Sequence, residues 1–119
     1  MPNRRTYDLE ERTAKFGERV IAFCRKLKPD VVIRPLISQL VRSSTSIGAN
    51  YREANGASSK KDFRNKIFIS KKEAKETEHW LRMIAASLST PSTELAALQQ
   101  ESLELVLIFQ KIGSTVSSK

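Results

Sequence analysis

The sequence is poor in the residues that strands, disulfides and membrane spans require. Aromatic residues make up 7% of its 119 residues, and glycine and proline number four each. The single cysteine, Cys24, excludes a disulfide within the chain. No run approaches the about 18 consecutive apolar residues that a membrane-spanning helix needs. Ala, Leu, Ser, Glu and Lys dominate instead, a composition typical of helical proteins.

The amino-terminal segment and the chain length bear on location and domain number. Residues 1–12 contain no apolar stretch of the kind that a secretory signal needs. We therefore expect a cytoplasmic protein without a membrane contact. A chain of 119 residues is large enough for one hydrophobic core, and we expect one all-α domain over residues 1–119.

Positive charge exceeds negative charge and is unevenly distributed. Twenty-one Lys and Arg residues stand against thirteen Asp and Glu residues, a net charge of +8. Only Arg82, Lys111 and Lys119 among the basic residues lie beyond residue 75. Such a basic region favours polyanions such as RNA or DNA, because Lys and Arg release counterions from phosphates. The alternative is that these charges only solvate helix surfaces.

Apolar residues in the first half of the chain recur at the spacing that keeps side chains on one face of a helix. Phe16, Val20, Phe23 and Leu27 predict a first helix over about residues 9–28, with Asp8 as its N-cap. A second series predicts a helix over about 32–55, ended by Gly56 in the left-handed conformation. Its members are Ile33, Leu36, Leu40, Ile47, Tyr51 and Ala54.

The second half of the chain contains the most regular series. Ser59 and Asp62 form a capping box that opens a third helix, predicted over about 60–89. Its inner residues alternate at spacings of four and three: Phe63, Ile67, Ser70, Ala74, Thr77, Leu81, Ile84 and Leu88. A fourth helix, over about 93–113, has the inner series Leu95, Leu98, Ser102, Leu105, Phe109 and Ile112.

Four helices joined by short connections pack most simply as an antiparallel up-down-up-down bundle. Some apolar residues of the third and fourth helices fall outside the inner series, and we interpret them as a second buried surface between subunits of a homo-oligomer. These residues are Phe68, Ile69, Met83, Leu103 and Leu107.

A family resemblance lies in the segment QLVRSSTSIGANYREANGASSKKDFRNKIFISKKEAKETEHWL, residues 39–81. Its set of Arg, Ser-Ile, Ala-Asn, Glu, Ser-Lys, Phe and Glu-Ala resembles the signature of the S23 family, the 23S rRNA intervening-sequence proteins. The resemblance implies a small cytosolic antiparallel four-helix bundle without known enzymatic activity, assembled in several members as a ring-shaped homopentamer.

Nucleic acid enters the expectation through the same resemblance. Some members of the family are encoded inside insertions in bacterial 23S rRNA genes. A similar protein, the basic and pentameric accessory variability protein of diversity-generating retroelements, works with a reverse transcriptase and nucleic acid. For this chain the resemblance therefore implies RNA or DNA as a partner. It also implies a ring-shaped homo-oligomer, with five subunits as the expected number.

Residues suited to bond chemistry are few. Glu76 and His79 have the Glu-x-x-His spacing of half a di-iron site, but His79 is the only histidine and both residues fall away from the inner series. Cys24 has no neighbouring His or Lys arrangement that would activate a thiolate, so we expect a small buried hydrophobe. We expect no enzymatic activity, no metal site and no cofactor.

A polar set on the second and third helices has a structural interpretation. Arg42 and Glu53 are expected to pair with a neighbouring helix or subunit, with Glu73 one partner for Arg42. Ser46 belongs to a run of small residues that lets another helix approach closely, and Asn50 is expected to satisfy backbone groups and fix the helix register. The alternative is a ligand-binding role for the set.

Six basic residues of the third helix fall on one outer side, which we call the basic sector: Lys61, Arg64, Lys71, Lys72, Lys75 and Arg82. We expect it to contact phosphates of RNA, or of DNA, with little base specificity, because aromatic residues for stacking are scarce. The leading hypothesis is a non-enzymatic, oligomeric nucleic-acid-binding accessory protein. The alternative is a protein-interaction scaffold whose charge only gives solubility.

Overall fold

The computed structural model describes the backbone of residues 4–117 and the side chains of residues 8–116. It contains four helices, α1 (Arg4–Arg25), α2 (Ile33–Asn55), α3 (Lys60–Ser87) and α4 (Thr93–Ser117), and no strand within this described range. The all-α prediction is confirmed. The helices pack together into a body of 47 × 22 × 19 Å, whose long axis matches the roughly 42 Å length of a 28-residue helix.

The predicted inner series of all four helices meet in one hydrophobic core. Every member is buried or half-buried. Phe16, Ile47, Leu81 and Phe109, one from each helix, are at most 1% exposed. The spacing of apolar residues therefore identified the inner face of each helix correctly.

The boundary between α2 and α3 is the most extensive and is lined by small polar residues. Ser43, Ser70 and Thr77 are fully buried. Thr77 Oγ1 lies 2.9 Å from Ser43 Oγ, and Ser70 Oγ donates to the backbone oxygen of Ile47 at 3.1 Å. Because each buried hydroxyl has a partner, the two helices approach closely without leaving polar groups unsatisfied.

Close approach also defines the boundary between α1 and α2. A Cβ atom added at Gly48 would lie 3.0 Å from Thr13 Oγ1, which is tighter than normal contact. Thr13 is itself buried and donates to the backbone oxygen of Leu9 at 2.9 Å. A side chain at position 48 would therefore press against α1, so the glycine reflects the close approach of the two helices rather than its own backbone conformation.

Side chains that accept backbone N–H groups start three of the helices. Asp30 Oδ1 accepts from the backbone N–H groups of Val32 at 2.9 Å and of Ile33 at 2.8 Å, and so caps α2. Ser59 and Ser92 accept from the backbone N–H three residues later, at 3.0 and 3.1 Å. The predicted cap at Ser59 is confirmed.

Helix ends differ from the predictions in three places. Asp8 lies inside α1, which begins at Arg4 and stops at Arg25. It is therefore not an N-cap. α4 continues through Gly113 to Ser117, since glycine in a helix costs only about 1 kcal/mol relative to alanine.

Gly56 does end α2, but not in the left-handed conformation that was predicted. Its φ is −102°, and no glycine in the described range has a positive φ. The backbone N–H groups of Gly56 and Ala57 donate to residues three positions earlier, at 3.1 Å each. The helix thus closes by a tightened last turn, which any residue can form.

Candidate nucleic-acid interface

The basic sector occupies the side of α3 that faces away from the core. Because the heptad series turns Ile67, Ala74 and Leu81 inward, residues on the other side of the helix circumference point outward. Five of the six sector residues are exposed, and Lys71 is half-buried. The structure therefore places the predicted phosphate-binding residues together on an accessible surface.

Few carboxylates compensate the charge of this sector. Lys72 Nζ lies 3.9 Å from Glu76 Oε2, a long separation for an ion pair. Lys71 Nζ lies 5.6 Å from the centroid of the Phe68 ring. Among the side chains that the structure describes, no carboxylate forms an ion pair with the other four sector residues. The sector consequently presents a local positive field.

The side of α3 toward α2 contains an ion-pair cluster, which we call the Arg42 cluster. Arg42 of α2 approaches Glu73 Oε2 at 3.0 Å and Glu76 Oε1 at 2.8 Å. The Glu73 side chain is 8% exposed, whereas that of Arg42 is 47% exposed. Burial opposes the charge of Arg42, but bonds to Glu73 and attraction to Glu76 outweigh it and raise the pKa of the guanidinium.

The Glu73 partner of Arg42 was predicted, and the Glu76 partner was not. The sequence spacing pairs Glu76 with His79 as half of a metal site, whereas the Glu76 carboxylate contacts Arg42. The spacing of three between Glu73 and Glu76 is the sequence signal for a shared partner, because such residues lie side by side on a helix.

The other members of the polar set make local bonds. Ser46 Oγ donates to the backbone oxygen of Arg42 at 2.6 Å, and Asn50 Nδ2 donates to that of Ser46 at 2.9 Å. Both bonds lie within α2. Glu53 is exposed and lies 3.7 Å from Lys66 Nζ of α3. These contacts favour the structural interpretation over a ligand site.

A second ion-pair cluster, the Arg12 cluster, joins α1 to α4 and was missed by sequence reasoning. Arg12 Nε lies 2.7 Å from Glu101 Oε2, and Arg12 Nη2 lies 2.9 Å from Glu104 Oε1. The two glutamates again differ by three positions. Nothing near Arg12 in the sequence marks it as their partner, since the helices that meet here are the most distant along the chain.

The residues predicted to lie between subunits do not share one environment. Phe68, Leu103 and Leu107 are exposed by 63%, 42% and 55%. Ile69 and Met83 are half-buried. Phe68 lies within the basic sector rather than on an apolar face, because its neighbours one turn away are Arg64 and Lys72.

Reactive groups have surroundings that suit packing. Burial raises the pKa of the Cys24 thiol to about 11, so the thiol is protonated near neutral pH. The His79 ring packs edge-on against Trp80, with centroids 4.9 Å apart. Within the described residues, no group of three His, Cys, Asp or Glu side chains is placed to hold a metal ion.

These features define the chain as an all-α protein of four packed helices with a basic outer surface. The family model described as 23S rRNA-intervening sequence protein matches residues 5–111. The chain therefore belongs to that family, and the match extends the resemblance of residues 39–81 to the first and fourth helices.

A solved structure agrees with this assignment. The chain is similar to a protein of unknown function from the S23 ribosomal protein family of Bacteroides thetaiotaomicron VPI-5482, with 31% identity and a TM-score of 0.77. The likeness covers 87% of this chain and 96% of the other. No curated protein matches the sequence. None of the helices in the described range is long and apolar enough to cross a membrane.

Proposed function

We propose that this protein is a non-enzymatic nucleic-acid-binding accessory protein whose basic sector contacts phosphate groups. The observation that carries the proposal is that some charged residues of α3 are paired and others are not. Glu73 and Glu76 are engaged by Arg42 on one side, whereas Arg64, Lys75 and Arg82 on the other lack a carboxylate partner among the described side chains. Uncompensated cations in a row attract phosphates through counterion release.

The length of the sector suits a nucleic-acid backbone. Arg64 and Arg82 are 18 positions apart on one helix, a separation of roughly 27 Å at about 1.5 Å per residue. That distance corresponds to about eight base steps at roughly 3.4 Å each. RNA is the favoured partner, because the family description refers to 23S rRNA.

The proposal includes an antiparallel bundle, self-association and a cytoplasmic location. Two contacts support opposite directions for α2 and α3. Glu53, near the end of α2, contacts Lys66 near the start of α3. Ser43, earlier in α2, contacts Thr77, which lies later in α3. Exposed Leu103 on α4 supports a contact between copies. A ring, five-membered by resemblance, would repeat the basic sector around its axis.

A charge-reversal pair tests phosphate binding. Lys71→Glu with Lys75→Glu should weaken binding of RNA and DNA about equally across sequences. It should also reduce the slope of log affinity against log salt concentration by roughly one per lost contact. The measurement is fluorescence anisotropy with labelled oligonucleotides over a salt series. Light scattering of the same wild-type samples determines the assembly state, and a monomer would contradict the ring.

A matched control separates local binding from overall charge. Lys15→Glu with Arg19→Glu makes the same charge change at the same spacing of four, on exposed residues of α1. This control should retain most of the binding. The proposal fails if the two double variants behave alike, or if the wild-type protein binds nothing at low salt.

A protein-interaction scaffold is the second candidate. Leu103 and Leu107, 42% and 55% exposed on one side of α4, favour it because exposed apolar residues one turn apart suit a protein contact. Co-purification distinguishes the two functions. Nuclease-sensitive absorbance near 260 nm supports nucleic-acid binding, and a stoichiometric protein partner without nucleic acid supports the scaffold.

A further inference from the structure

Phe68 is an exposed aromatic ring inside a field of cations. Its side chain is 63% exposed, although the residue before it, Ile67, is 1% exposed and belongs to the core. Cations of the basic sector flank it along the same side of α3, at four positions before and at three, four and seven positions after: Arg64, Lys71, Lys72 and Lys75. A large apolar ring in such a place is not explained by packing of the bundle.

The surroundings of the ring form a groove between α3 and α4 with a volume of about 270 Å³. Lys71 Nζ lies over the ring, 5.6 Å from its centroid, and Phe68 nevertheless remains 63% exposed. Polar groups of α4, the Gln110 amide and the Ser114 hydroxyl, line the same groove. The groove thus combines an aromatic face, cations and neutral hydrogen-bonding groups.

An apolar contact with a second copy suits this groove poorly. It would bury Arg64 and Lys71 beside the ring, and buried charges without partners are costly. A nucleotide matches all three kinds of group, because its base stacks on an aromatic face and its phosphates attract cations. Charge complementarity therefore selects a nucleic-acid strand as the occupant.

We propose that Phe68 stacks on an unpaired base of single-stranded nucleic acid, while Arg64 and Lys71 contact the neighbouring phosphates. This inference rests on the proposed nucleic-acid-binding function and adds a preference for single strands. Bases of a duplex are already stacked on one another and cannot reach a ring on a helix surface. Stacking tolerates any base, so the preference concerns strandedness rather than sequence.

The test compares Phe68→Leu with the wild-type protein on two labelled oligonucleotides, an oligouridylate and the same strand with abasic nucleotides. Leucine retains apolar area and removes the aromatic face. We expect Phe68→Leu to weaken binding of the intact strand roughly 5- to 150-fold, the range of one lost base stack, and to change binding of the abasic strand by less than about twofold. Phe68→Tyr, which keeps the aromatic face, should bind the intact strand with wild-type affinity.

Three other outcomes of these measurements would overturn the inference. Equal losses on the intact and abasic strands would mean that Phe68 acts only through its cationic neighbours. A change in assembly state of Phe68→Leu, seen by light scattering, would make Phe68 a contact between copies. Tighter wild-type binding of a duplex than of the oligouridylate would contradict the single-strand preference.

The salt series separates this failure from failure of the proposed function. Phe68→Leu should leave the salt slope unchanged, because it removes no phosphate contact. If the wild-type protein binds neither strand at low salt, the proposed function itself fails. If it binds both strands but Phe68→Leu has no effect, phosphate binding stands and base stacking is wrong.

Discussion

The two sides of α3 carry charged residues of opposite sign in different surroundings. On the side toward α2, Arg42 bonds Glu73 and Glu76 at 3.0 and 2.8 Å, and Glu73 is nearly buried. On the outer side, Arg82 is exposed and no carboxylate among the described side chains is paired with it. The net charge of the whole chain does not show this difference. Packing neutralises the charge of the first and leaves that of the second available to a ligand.

The boundary between α1 and α4 repeats the first arrangement. Arg12 joins Glu101 and Glu104, as Arg42 joins Glu73 and Glu76. In both clusters one arginine meets two glutamates on a neighbouring helix. A planar guanidinium suits this geometry because its donors point in several fixed directions. The basic sector shows no such arrangement, which sets it apart from charge that serves packing.

The largest expected effect sharpens the division between the inner and outer sides. Ile67→Ala should lower the free energy of unfolding by about 2 to 5 kcal/mol, because Ile67 is 1% exposed and its truncation leaves a cavity. Phe68→Ala, at the adjacent position, should change it by less than about 0.5 kcal/mol. Urea unfolding followed by circular dichroism measures both. Similar losses for the two variants would place Phe68 in a packed interface.

A smaller effect on the free energy of unfolding should separate the paired Arg42 from the unpaired Arg82. Arg42→Ala leaves Glu73 nearly buried without its partner, so we expect a loss of about 1 to 3 kcal/mol, reduced by solvent at the half-exposed Arg42. Arg82→Ala should cost less than about 0.5 kcal/mol. The same urea unfolding measures both variants.

A double-mutant cycle shows whether the loss at Arg42 comes from the ion pair. Glu73→Gln should remove most of the cost of Arg42→Ala, because no buried charge is then left unpaired. Equal costs for Arg42→Ala in both backgrounds would show that the ion pair does not distinguish the inner side of α3 from the outer side.

Sequence periodicity predicted the inner faces well because it depends on local geometry. Apolar residues at spacings of three and four face the core whichever helix they meet, so Leu81 and Phe109 were placed correctly. The cap at Ser59 is local in the same sense. The left-handed conformation predicted for Gly56 was wrong, because a glycine also fits a tightened last turn. No pattern in the sequence separates these two ways of ending a helix.

Contacts between distant helices were less predictable. Glu73 was found for Arg42 because α2 and α3 are consecutive and meet along a recognisable motif. Arg12 was missed because its partners follow it by 89 and 92 positions. The placement of Phe68 between subunits, predicted because an apolar residue outside the inner series suggests burial, stays a prediction.

The smallest expected effect concerns pH and tests whether an exposed ion pair contributes to stability. Hydrogen bonds from Gln100 and then from Arg12 lower the pKa of Glu104 below its usual value of 4.5. The lowered pKa favours the ionised form in the folded protein, so the contribution of Glu104 to stability is present above about pH 4.5 and is lost as the pH falls through the folded-state pKa. Glu104→Gln should therefore differ from wild type by a constant amount near neutral pH.

In acid that difference in unfolding midpoint should shrink, and added salt should reduce it at neutral pH because exposed pairs are screened. Lys75→Gln provides the control from the basic sector, since this change leaves every carboxylate in place. Its difference from wild type should not follow the acid transition of Glu104→Gln. Thermal unfolding at several pH values measures both variants. Parallel pH profiles for the two would mean that the Arg12 cluster and the basic sector contribute alike, which would remove the contrast between paired and unpaired charge at the surface.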